Sequence, residues 1–341
     1  MKNKICAVIN LRNHLPFGKA LESFGWCDVY YTKNAKTATG KAAPDSQIDE
    51  LKINFKDYDS LLLFQEKTCD VYAAELAKKQ NSKIVVFGNQ HGYYKSILQI
   101  KNRPPKPYDY WIVWGQYWLD RASKILSKVP KKWLNLGSLK HSYYFKTFTW
   151  KPTKKVKALV IYEPNTDESY KDPKPETHHQ ATQEIINALE MLKIPFDIKA
   201  HPLWPKLKGN YGDKMWQPPK PMKDFDIKKI INYSAVLGSR STLLFDAISM
   251  GMPVVGFASK SQWEDDEYGP AKKKLFPYTS NPKTLASLIK NTINKKPNYR
   301  QKLIKYFLGD LNKNPDQYLK FCQLKSQEKK SPFFRLLSLF K

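Results

Sequence analysis

Short apolar runs alternate with helix-patterned stretches along most of the chain. In the first half these runs predict buried strands at Ile5–Ile9, Ser60–Phe64, Lys83–Phe87, Tyr110–Trp114 and Trp133–Leu136. Between them, Val71–Lys79 and Tyr117–Leu126 carry apolar residues at helical spacing. The alternation is typical of a mostly parallel sheet with crossover helices.

The same alternation restarts after a polar, basic stretch, Phe145–Lys157, which is interpreted as a linker. The second half predicts strands at Ala158–Tyr162, Phe196–Ala200, Ala235–Gly238 and Pro253–Phe257, and helices at Thr177–Leu192, Lys223–Asn232 and Ser241–Met250. We therefore expect an α/β protein with two Rossmann-like domains, residues 1–150 and 151–310, that face a cleft. Residues 311–341 are expected to form C-terminal helices that end in an amphipathic tail. Ligands of such sheets bind beyond the carboxyl ends of the strands.

Two blocks in the second half carry the strongest chemical signal. Lys199-Ala-His201-Pro202 closes a predicted strand, and Ser239-Arg-Ser241-Thr242-Leu-Leu-Phe-Asp246 follows a later one and opens a helix. Hydroxyl groups and backbone N–H groups at a helix N-terminus favour phosphate. His201 can donate to the same phosphate, and Asp246 can reach a ribose hydroxyl. The alternative is that the hydroxyls only cap the helix and that His201 is an ordinary strand-end histidine.

Candidate catalytic residues also follow predicted strands. His91 and Gly92 come soon after the strand that ends at Phe87. A histidine whose pKa lies near neutral suits deprotonation of an acceptor hydroxyl, although a loop histidine bonded to backbone is an equal alternative. Glu163, at the end of the first strand of the second half, is a second catalytic candidate, and Asn165 is a candidate phosphate contact.

The second-half blocks resemble a known family. His-Pro after a strand, followed by Ser-x-Ser-Thr-x-x-x-Asp-Ala-x-x-x-Gly-x-Pro-Val-Val, is similar to the donor half of GT-B glycosyltransferases of bacterial surface polysaccharides. The nearest groups are capsule-type Kdo transferases, polysialyltransferases and teichoic-acid glycerophosphotransferases. The resemblance implies a cytidine-nucleotide donor whose phosphate is held by His201 and the Ser/Thr turn, and the His-Gly turn at His91 is similar to one implicated in catalysis. The acidic motif of the polysialyltransferases is missing, since Asp265-Asp266-Glu267 lacks its glycine.

Charge and composition limit the chemical classes of binding partner. The 341 residues hold 58 Lys and Arg against 31 Asp and Glu, a formal net charge of +27, which favours an anionic partner. Residues 101–157 combine basic and aromatic residues, but several of the aromatic ones fall inside predicted strands and helices, where core packing is expected, so no nucleic-acid partner is expected. The tail Ser331–Lys341 predicts an interfacial helix for anionic lipid, with docking on its own domain as the alternative.

Metal, cofactor and disulfide chemistry have no support in the sequence. Asp57-Tyr-Asp59 precedes its strand instead of following it, and Asp224-Phe-Asp226 is placed to cap a helix, so neither predicts a metal site. No phosphate-loop or dinucleotide fingerprint is present. The four cysteines are scattered, which favours a reducing compartment, and no targeting or membrane-spanning segment is apparent.

These observations together predict a metal-independent glycosyltransferase that needs no cofactor beyond its nucleotide-sugar co-substrate, CMP-linked being favoured. The expected acceptor is a glycan or lipid-linked glycan of a bacterial capsule, lipopolysaccharide or other surface polymer. The expected location is cytoplasmic, on the inner face of the membrane through the tail. The alternatives are a glycerol- or ribitol-phosphate transferase, or a non-catalytic protein that binds nucleic acid or another anionic polymer.

Overall fold

A computed structural model defines the fold. It describes residues 4–10, 14–36, 44–64, 68–90, 107–126, 132–162, 176–200, 221–222, 225–239, 241–258 and 269–330. The chain divides into two compact units, the first made of Met1–Tyr143 and Lys305–Lys341 and the second of Tyr144–Ile304.

The first unit is built on a parallel sheet of six described strands in the order β2-β1-β3-β4-β5-β6. Its strands are β1 (Ile5–Ile9), β2 (Asp28–Tyr31), β3 (Ser60–Leu63), β4 (Val85–Asn89), β5 (Tyr110–Val113) and β6 (Trp133–Asn135). Its helices are α1 (Leu15–Phe24), α2 (Lys33–Lys36), α3 (Ser46–Asp49), α4 (Thr68–Gln80), α5 (Gln116–Leu126) and α6 (Leu139–Thr147), with a 3-10 helix at Phe55–Asp57.

The core of the first unit is rich in aromatic side chains. The residues that pack together between the sheet and its helices include Phe17, Phe64, Phe87 and Tyr318. Most of the aromatic residues in the basic stretch 101–157 are buried: Tyr108, Trp111, Trp114, Tyr117, Trp118, Trp133, Tyr144 and Trp150. Those in strands and helices are buried as expected, whereas Trp150 lies outside these elements and belongs to the second unit. Core packing therefore accounts for most of the aromatic residues in 101–157, which together with the basic residues resemble the composition of a nucleic-acid-binding segment.

The end of the chain returns to the first unit. After α11 (Gln301–Leu308), the helix α12 (Asn314–Lys330) adds Tyr318 and Cys322 to the first core. The Trp118 indole donates to the Phe307 carbonyl at 2.8 Å, and the buried Asn314 amide donates to Ser142 Oγ at 3.0 Å. The second unit therefore starts and ends a few residues earlier than the expected range 151–310, and the residues after it belong to the first unit. The reason is that these contacts join segments that are far apart in sequence.

The second unit repeats the architecture with five described strands, all parallel, in the order β11-β10-β9-β7-β8. They are β7 (Ala158–Tyr162), β8 (Phe196–Ala200), β9 (Ala235–Gly238), β10 (Val254–Phe257) and β11 (Tyr278–Thr279). The helices are α7 (Glu176–Met191), α8 (Thr242–Ser249), α9 (Gly269–Lys272) and α10 (Pro282–Thr292), with a 3-10 helix at Ile227–Asn232. The expected α/β class with two parallel-sheet domains is confirmed.

The second core is mainly aliphatic, and its strands match the sequence pattern closely. All five residues of β7 are buried, as expected for a strand covered by helices on both faces. Alanine, valine, isoleucine and leucine from β7, β9 and α7 make up most of the cluster, which also contains Tyr162 and Phe257. The bounds of β7, β8 and β9 are those that the apolar runs predict.

Three local predictions need correction. The expected strand Lys83–Phe87 begins two residues later, because a turn held by the Asn81 side chain, which accepts from Lys83 N, occupies its start. The expected helix Lys223–Asn232 is described only as a 3-10 helix over its last six residues, capped by Asp226, whose capping role is confirmed. The stretch Phe145–Lys157 is not a free linker, because its first residues end α6 and Trp150 is buried.

Candidate functional site

The strand order gives the second sheet a topological switch point. The chain moves from β7 to β8 on one side, then crosses back to β9 on the other side of β7. In open α/β sheets, ligands bind beyond the carboxyl ends of the strands at this switch point. Tyr162 ends β7, and Ser239 follows the last residue of β9. The switch point therefore lies beside the hydroxyl-rich turn.

The turn after β9 leads directly into α8. Ser241 has extended backbone angles, φ −170° and ψ 148°, and its Oγ accepts from Leu243 N at 3.2 Å. It is therefore the N-cap of α8, which is the alternative role that the sequence left open. A hydroxyl group can both accept and donate, so capping by the oxygen is compatible with donation to a ligand. Thr242 is the first residue of the helix, where backbone N–H groups lack carbonyl partners within the helix.

Asp246 lies one turn further along the same face of α8 as Thr242, because residues four apart on a helix are neighbours. It is 6% exposed, so its carboxylate is largely removed from water. Ser239 and Ser241 are also buried, at 8% and 6% exposure. The four described candidates of the donor site, Ser239, Ser241, Thr242 and Asp246, therefore lie within one short segment at the carboxyl edge of the sheet.

The far end of α8 explains why the helix stays short. Gly251 has φ +75°, in the left-handed region that favours glycine, and Met252 N donates to Ala247 O at 3.0 Å. Pro253 then leads into β10. This turn ends α8 and leads into β10, between the predicted helix Ser241–Met250 and the predicted strand Pro253–Phe257.

The glycine at the end of β9 allows the two switch-point strands to approach closely. Gly238 lies opposite Ile161 of β7 in the register of the sheet. A Cβ atom at Gly238 would lie 3.3 Å from Ile161 Cβ. At the neighbouring end of β7, burial raises the pKa of Tyr162 to about 12, so its hydroxyl keeps its proton at neutral pH and can act as a hydrogen-bond donor.

The remaining sequence candidates lie outside the described residues. They are His91, Glu163, Asn165 and His201. The strands that precede them, β4, β7 and β8, do end at the carboxyl edges of their sheets. Their roles stay predictions, and so does the role of the tail Ser331–Lys341, which also falls outside the described residues.

A second group of polar residues, which the sequence pattern did not single out, lies at the switch point of the first sheet. The strand order of that sheet changes direction between β1 and β3. Asp70, in the first turn of α4, accepts from the Asn10 side chain after β1 and from Phe64 N after β3, the latter at 3.1 Å. Asn10 and Asp70 are both fully buried. A polar residue directly after an apolar run was the available signal.

The described residues hold no group of three or more histidine, cysteine, aspartate or glutamate side chains that could bind a metal ion. All four cysteines are free thiols. In the same described ranges, no helix has both the length and the apolar character that crossing a bilayer requires.

No protein-family model matches the sequence, and no curated protein matches it either. Solved structures do share its fold. A putative UDP-N-acetylglucosamine 2-epimerase from Listeria monocytogenes superposes with a TM-score of 0.56 at 14% identity, covering 97% of this chain and 98% of its own. The UDP-GlcNAc 2-epimerase from Neisseria meningitidis bound to UDP-GlcNAc gives a TM-score of 0.53 at 14% identity, over 93% and 100% of the two chains.

A third similar structure belongs to cell-wall polymer synthesis. A histidine variant of the wall teichoic acid polymerase TagF, soaked with CDPG, gives a TM-score of 0.54 at 13% identity, covering 97% of this chain and 90% of its own. These likenesses extend over nearly the whole chain at low identity, so they identify the fold alone. The chain has a GT-B-like fold.

Proposed function

We propose that the chain is a GT-B glycosyltransferase that uses a nucleotide-sugar donor. The observation that carries the proposal is the start of α8: Ser239, Ser241 and Thr242 lie at the switch point of the second sheet, where a helix N-terminus favours phosphate. Proteins of similar fold include a 2-epimerase bound to UDP-GlcNAc and a TagF variant soaked with CDPG, which supports a nucleotide-linked donor for this chain.

The proposed roles follow from this position. The donor phosphate rests on His201 and the Ser/Thr turn, with Asn165 assisting, and Asp246 bonds the ribose. His91 takes the proton of the acceptor hydroxyl while the acceptor oxygen forms a bond to the donor sugar. The bond between the sugar carbon and the phosphate oxygen breaks, and the nucleotide leaves with its electrons. Glu163 is the second candidate for the base. Donor groups at the phosphate stabilise the charge that develops on the leaving nucleotide, and a CMP-linked donor is favoured by the resemblance.

The proposed acceptor is a bacterial surface glycan, either free or linked to lipid. We place the enzyme at the inner face of the membrane, with Ser331–Lys341 as an anchor on anionic lipid. Deleting this tail should lower the fraction of the protein that floats with anionic vesicles and leave activity on a soluble acceptor largely intact. Equal flotation of both forms would contradict the anchor, and a large fall in melting temperature would show that the tail docks on its own domain.

A related candidate reaction is transfer of a polyol phosphate. It is favoured by the fold shared with the TagF polymerase soaked with CDPG, and it uses the same phosphate-binding turn. Incubation with CMP-linked sugars, UDP-GlcNAc or CDP-glycerol distinguishes the two reactions by the group that appears on the acceptor. A protein that binds single-stranded RNA with strong salt dependence but no nucleotide would instead be a non-catalytic polymer-binding protein.

Substitution at Ser241 separates helix capping from ligand binding. Asparagine and aspartate both cap helices well, so Ser241→Asn and Ser241→Asp should keep the melting temperature near that of the wild type. The aspartate variant adds a negative charge beside the phosphate and should reduce affinity for CMP or UDP, measured by calorimetry, by at least about tenfold. The matched asparagine variant should lose less. Unchanged affinity in the aspartate variant would rule out this turn as the phosphate site.

The two histidines are expected to affect different steps. His201→Ala should lower nucleotide affinity by about 1.5–3 kcal/mol, the contribution of a hydrogen bond to a charged group. His91→Ala should abolish transfer but leave nucleotide affinity within a few fold, because the base acts on the acceptor. If the His91 variant instead loses nucleotide binding, and the pH–rate profile shows no group that titrates near neutral pH, the assignment of His91 as the base is wrong. Glu163 is then the candidate to test.

A further inference from the structure

The amino edge of the second sheet, opposite the candidate site, exposes apolar side chains. Four large hydrophobic residues are exposed among the described ones, and two of them lie here: Met191 is 69% exposed and Val156 is 38% exposed. Val156 comes just before β7, and Met191 ends α7 shortly before β8. Because β7 and β8 are paired neighbours, both side chains belong to the same end of the same strand pair.

Hydrogen bonds hold the segments of this edge together. Ser234, which is fully buried, accepts from Lys157 N at 3.1 Å and donates its own N–H to Lys157 O at 2.7 Å. Asn294 N donates to Ser234 O at 3.0 Å, and its side chain accepts from Thr153 N at 2.7 Å. Ala158 N donates to Pro195 O at 2.9 Å. The segments before β7, before β8 and after α10 therefore form one continuous surface.

That surface is strongly basic. We call it the basic edge and define it by Lys151, Lys154, Lys155, Lys157, Lys193, Lys295 and Lys296. The segments 151–157, 193–196 and 293–296 contain no acidic residue. Within the described part of the chain, the ion pair formed by these lysines is that of Lys157 with Asp197, at 2.8 Å. Apart from the half-buried Lys157, these lysines are exposed.

We propose that the basic edge docks on the surface of an anionic lipid bilayer. Lysines near an anionic leaflet are attracted to its headgroups, and exposed apolar side chains between them can enter the interface with the acyl chains. A soluble polyanion would satisfy the lysines but offers little to Met191 and Val156, which is why the bilayer is the better fit.

This surface is independent of the proposed transfer reaction. The basic edge lies at the amino ends of the strands, whereas Ser239 and the start of α8 lie at the carboxyl ends of the same sheet. Changes at the basic edge should therefore leave nucleotide affinity unaltered, so that failure of the membrane proposal and failure of the nucleotide proposal are distinguishable. It also differs from the tail, because it is part of the folded second unit.

The test is flotation of the full chain with vesicles of phosphatidylglycerol and phosphatidylcholine. Reversing two charges, Lys154→Glu with Lys155→Glu, should lower the vesicle partition coefficient at least about tenfold, since each basic residue near an anionic leaflet contributes several fold. The matched control, Lys56→Glu with Lys79→Glu, reverses two exposed lysines of the first unit and should partition like the wild type. All these proteins keep the tail, so its contribution is constant.

Further measurements distinguish the source of the attraction. Met191→Gln removes apolar character while retaining side-chain length, and it should weaken partition by a smaller factor that persists at high salt, where the charge contribution is screened. Equal flotation of the two lysine pairs would overturn the proposal. So would undiminished binding to vesicles of phosphatidylcholine alone, or a Lys154/Lys155 variant that loses soluble polyphosphate but still floats with anionic vesicles.

Discussion

In both parallel sheets the order of strands reverses at an equivalent point. The polar residues at these two switch points make different kinds of contact. In the first unit, the Asp70 carboxylate joins the ends of β1 and β3 by accepting from Asn10 and from Phe64 N. In the second unit, the end of β9 leads through Ser241 into α8, and the described capping bond spans only two residues. At the first switch point a buried carboxylate therefore links the two strand ends, whereas the second presents the start of a helix.

This difference separates structure from binding. The bonds of Asp70 link two neighbouring strands, so losing them should weaken the first unit. The described capping bond of Ser241 is local, so losing that bond should cost little stability but change how the turn binds a ligand. The same topology can thus support a structural crosslink in one domain and a candidate phosphate site in the other.

The largest loss of stability is expected at the first switch point. Asp70→Ala leaves Phe64 N and the Asn10 amide without this acceptor in a fully buried place, which should lower the free energy of unfolding by about 3 kcal/mol. Urea unfolding measures the change. Glu75→Ala, an exposed residue on the same helix, serves as the control and should stay close to the wild type. A similar loss of unfolding free energy in both variants would show that the hydrogen bonds of Asp70 do not stabilise the link between β1 and β3.

A second, smaller loss is expected where the chain returns to the first unit. Asn314→Ala removes donation to Ser142 Oγ and to Leu308 O, at 3.0 and 3.1 Å, and should cost about 2 kcal/mol. Asn312→Ala changes an exposed asparagine two residues earlier and provides the control. Equal melting temperatures of the two variants would mean that this contact does not hold α12.

At the second switch point the loss of stability should be smaller, and nucleotide affinity should fall. Ser241→Ala loses the N-cap of α8 and should lower the free energy of unfolding by only about 1 kcal/mol. Its nucleotide affinity should fall, whereas Asp70→Ala should leave affinity unchanged at temperatures where the variant is folded. If Ser241→Ala were the less stable of the two, the contrast between the switch points would be wrong.

The smallest effect concerns pH and lies at the amino edge of the second sheet. Burial alone would raise the pKa of Asp197, but hydrogen bonds from Lys157 and Tyr233 outweigh burial and hold it below its ordinary 3.8. The charged carboxylate therefore stabilises the fold above about that pH, and this contribution is lost as the pH falls through the lowered pKa. It should amount to less than about 1 kcal/mol, as for partly exposed ion pairs.

Asp197→Asn should remove this part of the acid dependence, which is measured by comparing urea unfolding at pH 3 and pH 6. The variant should lose less stability on acidification than the wild type does. Identical pH profiles would show that the Lys157–Asp197 pair adds nothing to stability.

Strands that bury both faces were predictable, whereas two of the four described edge strands, β2 and β11, were not. Ala158–Tyr162 is a continuous apolar run, and its bounds in the structure are those of the run. By contrast, β2 is partly exposed along Asp28–Tyr31, and β11 has only two residues, so neither carries a clear apolar pattern. The helix start at Ser241 was predictable because hydroxyl caps are local signals.

The sequence alone determined the α/β class, the central strands and the candidate turn at Ser239–Thr242, because apolar runs and helix caps depend on neighbouring residues. Only the tertiary structure decided that α12 belongs to the first unit, that Asp70 links the ends of β1 and β3, and that lysines from three separate segments form the basic edge. Those features arise from contacts between residues far apart in the chain. Such contacts depend on strand order and packing, which local patterns do not encode.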